Sequence, residues 1–379
     1  MIEILVLGDV CPRWGNVEQF ATGDPERVFH DLLFYFQEAD YVVGNLEAPI
    51  TTCEGKLTKT SMNLRAEPAD ATLLKKAGID ALSLANNHIL DYGVSGLEDT
   101  ISILNTIGIS TYGADTLGQE AKALKFMKDS TTIAFLSFAE REFNTNRDYP
   151  KGANLWDDID GMRDIRRAKE EADYLIVQYH GGIEEYEYPS PLLQKKCRAM
   201  IEAGADLVTC QHSHCVGTRE KWGHGEILYG QGNTVFGYEK NNSSWNDGLL
   251  IRILIDNGFS VEYIPITAKP DGVFIQKSEN AILFLESFEE RSVKISDNEW
   301  VKSEWLAFCK KQKNTYLPLM CCWGRGLNKV NRVLRGRLFD LFTTGRSRMS
   351  AMNIIRCDAH REVLQTILEQ DFYHGETGE

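Results

Sequence analysis

The sequence predicts an α/β fold built on a largely parallel sheet with helices on its faces, and three observations carry that reading. Short aliphatic runs recur between residues 2 and 233, each closing on glycine or polar residues. Segments with helical apolar spacing separate several of these runs, and strand alternating with helix in this way implies a parallel sheet. The acids, amides and histidines with most chemistry to offer follow the runs directly, at the strand ends where the loops of such a sheet converge.

Taken in order, Ile2 to Leu7 is an aliphatic strand running into Gly8-Asp9. Residues 27 to 39 have helical spacing, and Asp40 to Glu47 reads as the next strand with its exit loop. A helix over 69 to 77 leads to a strand from Asp80 to Ala85, and a helix over 95 to 106 leads to one from Ile109 to Tyr112. The runs TTIAFLSFA, DYLIVQYHGG, ADLVTCQHSH and GEILYGQGN supply four more strands, with helices over 161 to 172 and 191 to 203 among them. From Gly248 to Ala268 two antiparallel strands turn at Asp256-Asn257-Gly258, a sequence suited to a hairpin.

Beyond residue 278 the pattern is helical, with candidate helices at 278 to 291, 297 to 313 and 351 to 370. A boundary near 275 separates a domain over 1–275 from a mainly helical C-terminal extension over 276–379. Within the extension, residues 324 to 348 are basic in an otherwise acidic chain, and Leu327, Val330, Val333, Leu334, Leu338 and Leu341 can form a helical face. Two readings stand for that stretch. It is either a helix packed on the core with a solvated basic side, or a contact surface for a membrane or an anionic partner.

A chain of 379 residues with 43% hydrophobic content can fill a sizeable core. Its net charge of -14 argues against a general nucleic-acid binder, which depends on local positive charge. The N-terminal MIEILVLGDV reads as a strand rather than a secretory leader, and no apolar run is long enough to span a bilayer. The nine cysteines are odd in number and lack a repeated CxxC spacing, which fits reduced thiols and a cytoplasmic protein; association with a membrane through a partner is the further expectation.

The strand ends offer a mixed donor set. Asp9 is a candidate carboxylate ligand or an Asx turn, and Cys11 is a candidate thiolate ligand or a small buried side chain. Glu47 stands where a carboxylate can bridge two cations. In Asn86-Asn87-His88 an amide oxygen can bind a metal beside an imidazole that carries a proton, with Asp91 placed to orient it. His180 follows a strand and precedes two glycines, with Glu184 in the same loop as a partner for a ligand or substrate amine, or as a solvated acid. In Thr209-Cys210-Gln211-His212-Ser213-His214-Cys215 the two histidines would face one way if the segment is extended, and so reach one cluster or one metal each. The spacing of Cys210 and Cys215 matches no structural zinc pattern. Tyr229 and Asn233, from the next strand and its loop, are candidate substrate contacts alongside Glu184, or else a packing aromatic and a residue that only turns the chain.

Read together, Gly8-Asp9, Asn45-Leu46-Glu47, Ala85 to His88 with Asp91-Tyr92-Gly93, His180-Gly181-Gly182 with Glu184 and Pro189, Gly204-Ala205-Asp206 with His212-Ser213-His214, and Tyr229 to Asn233 resemble the bacterial capsule-synthesis family, the poly-gamma-glutamate biosynthesis protein CapA family. That family is similar to the calcineurin-like metallophosphoesterases, which implies a four-layer αββα sandwich of two stacked mixed sheets flanked by helices. The resemblance implies that Asp9 and His214 hold a first metal, that Asn87, His180 and His212 hold a second, and that Glu47 bridges them. It implies that His88 protonates a leaving group or stabilises the transition state. Cys11 stands where many phosphoesterases have a metal-binding histidine, and Gln211 and Ser213 depart from the family's GHHPH segment.

The expected activity is a hydrolase with two divalent ions, manganese, iron or zinc, acting on an ester or amide bond. The substrate is a small molecule or polymer of capsule, exopolysaccharide or poly-gamma-glutamate metabolism. Few cationic residues lie in the motif loops beyond Arg13, Lys56 and Lys59, which favours a scissile group less charged than a phosphate ester. The rival expectation is a non-catalytic metal-binding component of polymer biosynthesis machinery.

Overall fold

Strand β1 (Ile2–Val10) is aliphatic along its length because it lies inside a sheet covered on both faces. The structure, a computed structural model, describes residues 1–12, 15–59, 61–115, 122–142, 152–321, 323–356 and 364. Parallel to β1 run β2 (Tyr41–Leu46), β3 (Ala81–Ser83) and β4 (Ser110–Tyr112). A two-stranded sheet joins β5 (Ala114–Asp115) to β8 (Gly152–Ala153). The second large sheet holds β6 (Leu124–Lys128), β7 (Thr131–Ala139), β9 (Tyr174–His180), β10 (Leu207–Gln211), β11 (Arg219–Trp222) and β12 (Gly225–Leu228), in the order β11-β12-β10-β9-β7-β6. The chain then returns to the first sheet as β13 (Asn233–Val235), β14 (Asp247–Ile255), β15 (Phe259–Lys269) and β16 (Gly272–Ile275). That sheet has the order β16-β15-β14-β1-β2-β3-β4, with β13 also paired to β1.

There are therefore two large sheets, and both are mixed. Their central strands are parallel, while β6, β11 and the β14–β16 meander are antiparallel. The hairpin forms as its Asp256-Asn257-Gly258 turn predicts, with Ile255 opposite Phe259. Strands β6, β11 and β16 carry no strong aliphatic run, and they lie at sheet edges, where half-exposed sequences alternate.

Three apolar clusters fill the fold. Helical residues such as Phe29, Leu32, Leu73 and Leu104 pack with Leu5 and Leu7 on one face of the first sheet. Ile165, Cys197 and Met200 pack with Leu175, Val177 and Tyr179 on one face of the second. Ile4, Val6, Ile133, Phe135, Ile176, Leu207 and Ile251 form a third cluster drawn from both sheets. Strand period 2 sorts the residues: Leu175, Val177 and Tyr179 meet helices, while Ile176, Gln178 and His180 share the opposite face.

Local chemistry sets the helix ends. The helix Pro68–Ala77 starts with a capping box between Glu67 and Asp70 and stops at Gly78, whose φ is 100°. The helix Pro191–Glu202 has proline in its first turn, and the Ser190 hydroxyl accepts from the Leu193 N–H at 3.1 Å, a cap worth about 1 kcal/mol. The helix expected over 27–39 is broken into Glu26–Phe29 and Leu32–Glu38. His30 at the break has φ 40°, and its ring stacks on Phe274 at 4.0 Å. This tertiary contact overrides the helical spacing.

The chain divides into two compact units, Met1–Lys302 and Ser303–Glu379. The helix Ser278–Lys294 belongs to the first, where Phe288 is buried in the cluster drawn from both sheets, so the compact division falls later than 275. The helix Asn298–Met320 crosses the division. In the second unit, residues 324–348 do not form one continuous face. They fall into Arg325–Val333, Arg337–Phe342 and the start of Gly345–Arg356, with Gly336 at φ 87° between the first two. Leu338 is half-buried, but Leu327, Val330, Val333, Leu334 and Leu341 are exposed. The stretch is thus three short helices where a single helix was expected. Of the helix expected over 351–370, the part beyond Arg356 lies outside the described residues, apart from the single position 364.

Candidate metal centre

The end of β1 brings the donors together. Between Val6, opposite Val43, and Asp9, opposite Asn45, the register shifts. Gly8 lies in that irregularity, and a Cβ there would sit 2.1 Å from the Gly232 carbonyl oxygen. Only glycine lets the two backbones approach so closely. Asp9 thus comes opposite Asn233 in β13. Its Oδ1 accepts from Asn45 Nδ2 at 2.8 Å and its Oδ2 from the His212 backbone N–H at 3.0 Å.

Glu47 follows β2 and is fully buried. Its Oε1 lies 3.5 Å from His180 Nε2 and 3.8 Å from His214 Nε2. Two groups of side chains have ligand atoms within 4.8 Å of one another, Glu47 with His180 and His212, and Asp9 with Glu47 and His214. Glu47 is common to both.

His212 and His214 reach these groups by a route other than an extended strand. β10 ends at Gln211, and the two residues have φ of 85° and 52°. Left-handed backbone at residues with a Cβ costs roughly 1–2 kcal/mol each. The turn sends each imidazole to a different group, with ring centroids 6.2 Å apart. His214 is held between Phe236 at 4.7 Å and Trp245 at 4.6 Å. Its Nδ1 lies 2.9 Å from Asn233 Oδ1, and Asn233 Nδ2 donates to the Trp245 carbonyl. With Asn233 oriented in this way, His214 Nδ1 carries the proton and Nε2 keeps the lone pair that can bind a metal.

At the other group, His180 Nε2 meets Asn87 Oδ1 at 3.0 Å, and its ring lies 4.9 Å from that of His212. Asn87 Nδ2 donates to Glu142 Oε2 at 3.1 Å, which turns the amide oxygen toward His180. Burial lowers the basicity of His180, opposed by Asp9, and lowers that of His212 strongly, helped by the neighbouring imidazoles. Both rings are thereby biased toward the neutral form, in which an imidazole is able to bind a metal. Glu47 is pushed the other way, first by burial and then by the Asp9 charge.

The side chains fit a cation. Neither oxygen of Glu47 accepts a hydrogen bond among the described residues, and His212 Nδ1 has no hydrogen-bond partner there either. A carboxylate buried without donors costs several kcal/mol unless a positive charge balances it. The donor set of carboxylate, amide oxygen and imidazole suits a divalent transition ion. The structure therefore holds a cluster able to coordinate metal.

Beside the cluster, His88 Nδ1 lies 2.7 Å from Asp91 Oδ2, and Leu64 N–H donates to the same oxygen at 2.6 Å. Lys59, with its side chain buried, pairs with Asp91 Oδ1 and brings its Nζ within 3.1 Å of His88 Nδ1. Burial lowers the basicity of His88, Asp91 raises it and Lys59 lowers it again.

Three expected participants stand apart. Cys11 is buried in the apolar cluster of the first sheet and belongs to neither ligand group among the described residues. Tyr229 lies in the helix-side cluster with Ile227, and its hydroxyl donates to Glu220 at 2.8 Å, so its ring faces away from the space between the sheets. Glu184 is exposed and acts on Glu47 and His180 through its charge. Conversely, Asn45, Glu142 and the Lys59 contact with His88 were not anticipated. Asn45 was accessible to sequence reasoning, since period 2 along β2 places it on the face of Glu47. Lys59 and Glu142 lie in irregular stretches with no periodic signal.

The model of the family described as bacterial capsule synthesis protein PGA_cap matches residues 3–238, a range that encloses every candidate ligand. The capsule biosynthesis protein CapA of Bacillus anthracis is 29% identical over 252 residues, covering 63% of this chain and 61% of that protein. The PGA biosynthesis protein CapA of Bacillus subtilis (strain 168) is 32% identical over 207 residues, covering 53% of this chain and 54% of that protein. The matched length is thus between half and two thirds of these curated relatives. Among solved structures, a hypothetical protein from Thermus thermophilus is similar at 16% identity with a TM-score of 0.47, covering 73% of this chain and 100% of that one.

Proposed function

The chain belongs to the bacterial capsule synthesis protein family, and on that premise we propose that it is a two-metal hydrolase of capsule, exopolysaccharide or poly-gamma-glutamate metabolism. The observation that carries the reading is the sharing of Glu47 between two buried three-residue groups while, among the described residues, neither of its oxygens accepts a hydrogen bond. Asp9, Glu47 and His214 would hold one divalent ion, and Glu47, Asn87, His180 and His212 the other. Bound together, such ions supply Lewis acidity and an activated water against an ester or amide bond.

The chain's own residues do the rest. Asn45 and the His212 N–H hold Asp9 in place, and Asn233 sets the tautomer of His214. Asp91 accepts from His88 Nδ1–H, which leaves Nε2 to exchange a proton with the substrate: the neutral ring takes one there, and the imidazolium gives one. Lys59 balances the Asp91 charge. Glu184 is assigned to the substrate entrance.

The proposal includes a four-layer αββα sandwich, supported by the three apolar clusters, followed by a mainly helical extension. It also includes a cytoplasmic location; no helix among the described residues is long and apolar enough to cross a membrane.

Elemental analysis of metal-replete protein, paired with phosphodiester, phosphomonoester and gamma-glutamyl substrates, tests the reading. Two ions per chain and turnover of one class are expected. His88→Ala should keep the metals and lower turnover by about 10²–10⁴-fold. A second reading, a metal-binding component without catalysis, is favoured by the curated relatives' names as biosynthesis proteins. Full metal content with no turnover on any substrate would establish it.

A further inference from the structure

We propose that residues 324–348 form a docking surface for an anionic lipid bilayer, on which the chain lies without crossing. The stretch carries seven basic residues and one acid, Asp340, in a chain of net charge -14. Asp340 is already engaged by Arg348 and Lys313, so Arg325, Lys329, Arg332, Arg335, Arg337 and Arg346 have no acid within the stretch to neutralise them. Local positive charge of this density meets an anionic surface favourably despite the overall acidity, because the attraction acts within a Debye length.

Charge alone would equally suit a soluble polyanion. The apolar side chains decide between the two. Val333 is 81% exposed, Leu341 78% and Phe342 69%. They are not exposed for want of a folded interior. Asn331 is buried and accepts from the Phe339 N–H at 2.9 Å, Phe339 is buried, and Trp323 packs against it at 5.5 Å. The interior of this small helical cluster is thus filled by polar and aromatic side chains, while aliphatic ones project outward.

On the helix Arg325–Val333 the two chemistries separate cleanly. Leu327 and Val330, continued by Leu334 just past its end, follow the i, i+3, i+7 spacing of one face, and Arg325, Lys329 and Arg332 occupy the opposite one. A polyanion in water gains nothing from exposed leucine, valine and phenylalanine. A bilayer interface takes both, with aliphatic and aromatic groups at the acyl boundary and arginines at the headgroups. The helices, of 9, 6 and 12 residues among those described, are suited to lying in the interface, and none of them is long enough there to span it.

The inference is independent of the metal centre. The full chain is mixed with vesicles of phosphatidylcholine alone or with about one third phosphatidylglycerol, and flotation reads the bound fraction. Binding to the anionic vesicles should exceed that to neutral ones by about tenfold or more and fall steeply with salt. The variant Arg325→Gln/Lys329→Gln/Arg332→Gln and the variant Val333→Ser/Leu341→Ser/Phe342→Ser should each lose most of that binding. Circular dichroism and metal content should stay unchanged in both, since every substituted residue is exposed. Equal binding to both vesicles, no flotation at all, or binding untouched by the serine variant would overturn the proposal. So would a stable dimer in solution that the serine variant splits, since a second copy would then cover the face. Capture of soluble poly-gamma-glutamate without flotation would assign the patch to the polymer instead.

Discussion

The space between the two sheets has two ends built by the same strands, and they differ in almost everything else. Toward the start of β9 and β10 the inward residues are Ile176 and Leu207, packed with Ile4 and Phe135. Two residues further on the same face carries Gln178 and Thr209, and after two more His180 and Gln211. The middle zone is polar but largely satisfied: Ser83 and Ser137 hydroxyls meet at 2.6 Å, Thr209 bonds Gln231, and Tyr112 donates to Gln178. The far end holds Asp9, Glu47 and the imidazoles, with Glu47 oxygens that accept no hydrogen bond among the described residues. One end is closed by apolar packing, and the other gathers donors suited to a cation. Dry packing at one end supplies the stability that lets the other keep strained and uncompensated groups.

Four measurements sharpen or break that contrast. The largest effect belongs to the apolar end. Ile176→Ala should destabilise the fold by about 2–5 kcal/mol in denaturant unfolding, with metal stoichiometry of the folded protein unchanged. Loss of metal along with stability would mean that the two ends are not separable.

At the polar end the sign reverses. If the proposed two-ion centre is right, Glu47→Gln should lower bound metal from about two ions per chain to fewer than one. It should also make the metal-free protein more stable by about 1–3 kcal/mol, because an acid whose ionisation burial opposes is replaced by a neutral amide. A metal-free variant less stable than the wild type would show that Glu47 is structurally satisfied without cations.

Acid sensitivity comes next. Burial holds His180 and His212 below the usual value of 6.5. As pH falls through about 6.5 the unfolded chain takes up protons on both residues and the native state does not. The contribution of the two histidines to the stability of the metal-free protein should therefore be complete above that pH and decline below it, which comparison with His180→Gln and His212→Gln isolates. A flat profile across this range would mean that the polar end is hydrated like bulk solvent.

The smallest effect is expected at Tyr229, on the outer face of the same sheet. Tyr229→Phe loses the bond to Glu220 and should cost about 0.5–1.5 kcal/mol, with metal content and turnover unaltered. A change in turnover would return Tyr229 to the site.

Much of this was legible in the residues. Aliphatic runs gave the strands from Ile2 to the hairpin at Asp256-Asn257-Gly258 because burial on both faces demands them. The strand-end acids, amides and histidines follow from the same logic, and Asp9, Glu47, Asn87, His180, His212 and His214 do converge. What local pattern missed has a common cause. The break at His30 depends on Phe274, the Lys59 contact depends on an irregular loop folding over Asp91, and the outward face of Tyr229 depends on where its strand pairs.

The sequence by itself determined the alternation of strand and helix, the identity of the donors and their place at strand ends, because backbone periodicity and side-chain chemistry are local properties. The tertiary structure alone decided that two mixed sheets meet, that His212 and His214 part company through left-handed backbone, and that Glu47 is left without donors among the described residues. Those outcomes depend on groups far apart in the chain occupying the same few ångströms, and no local window of sequence contains that information.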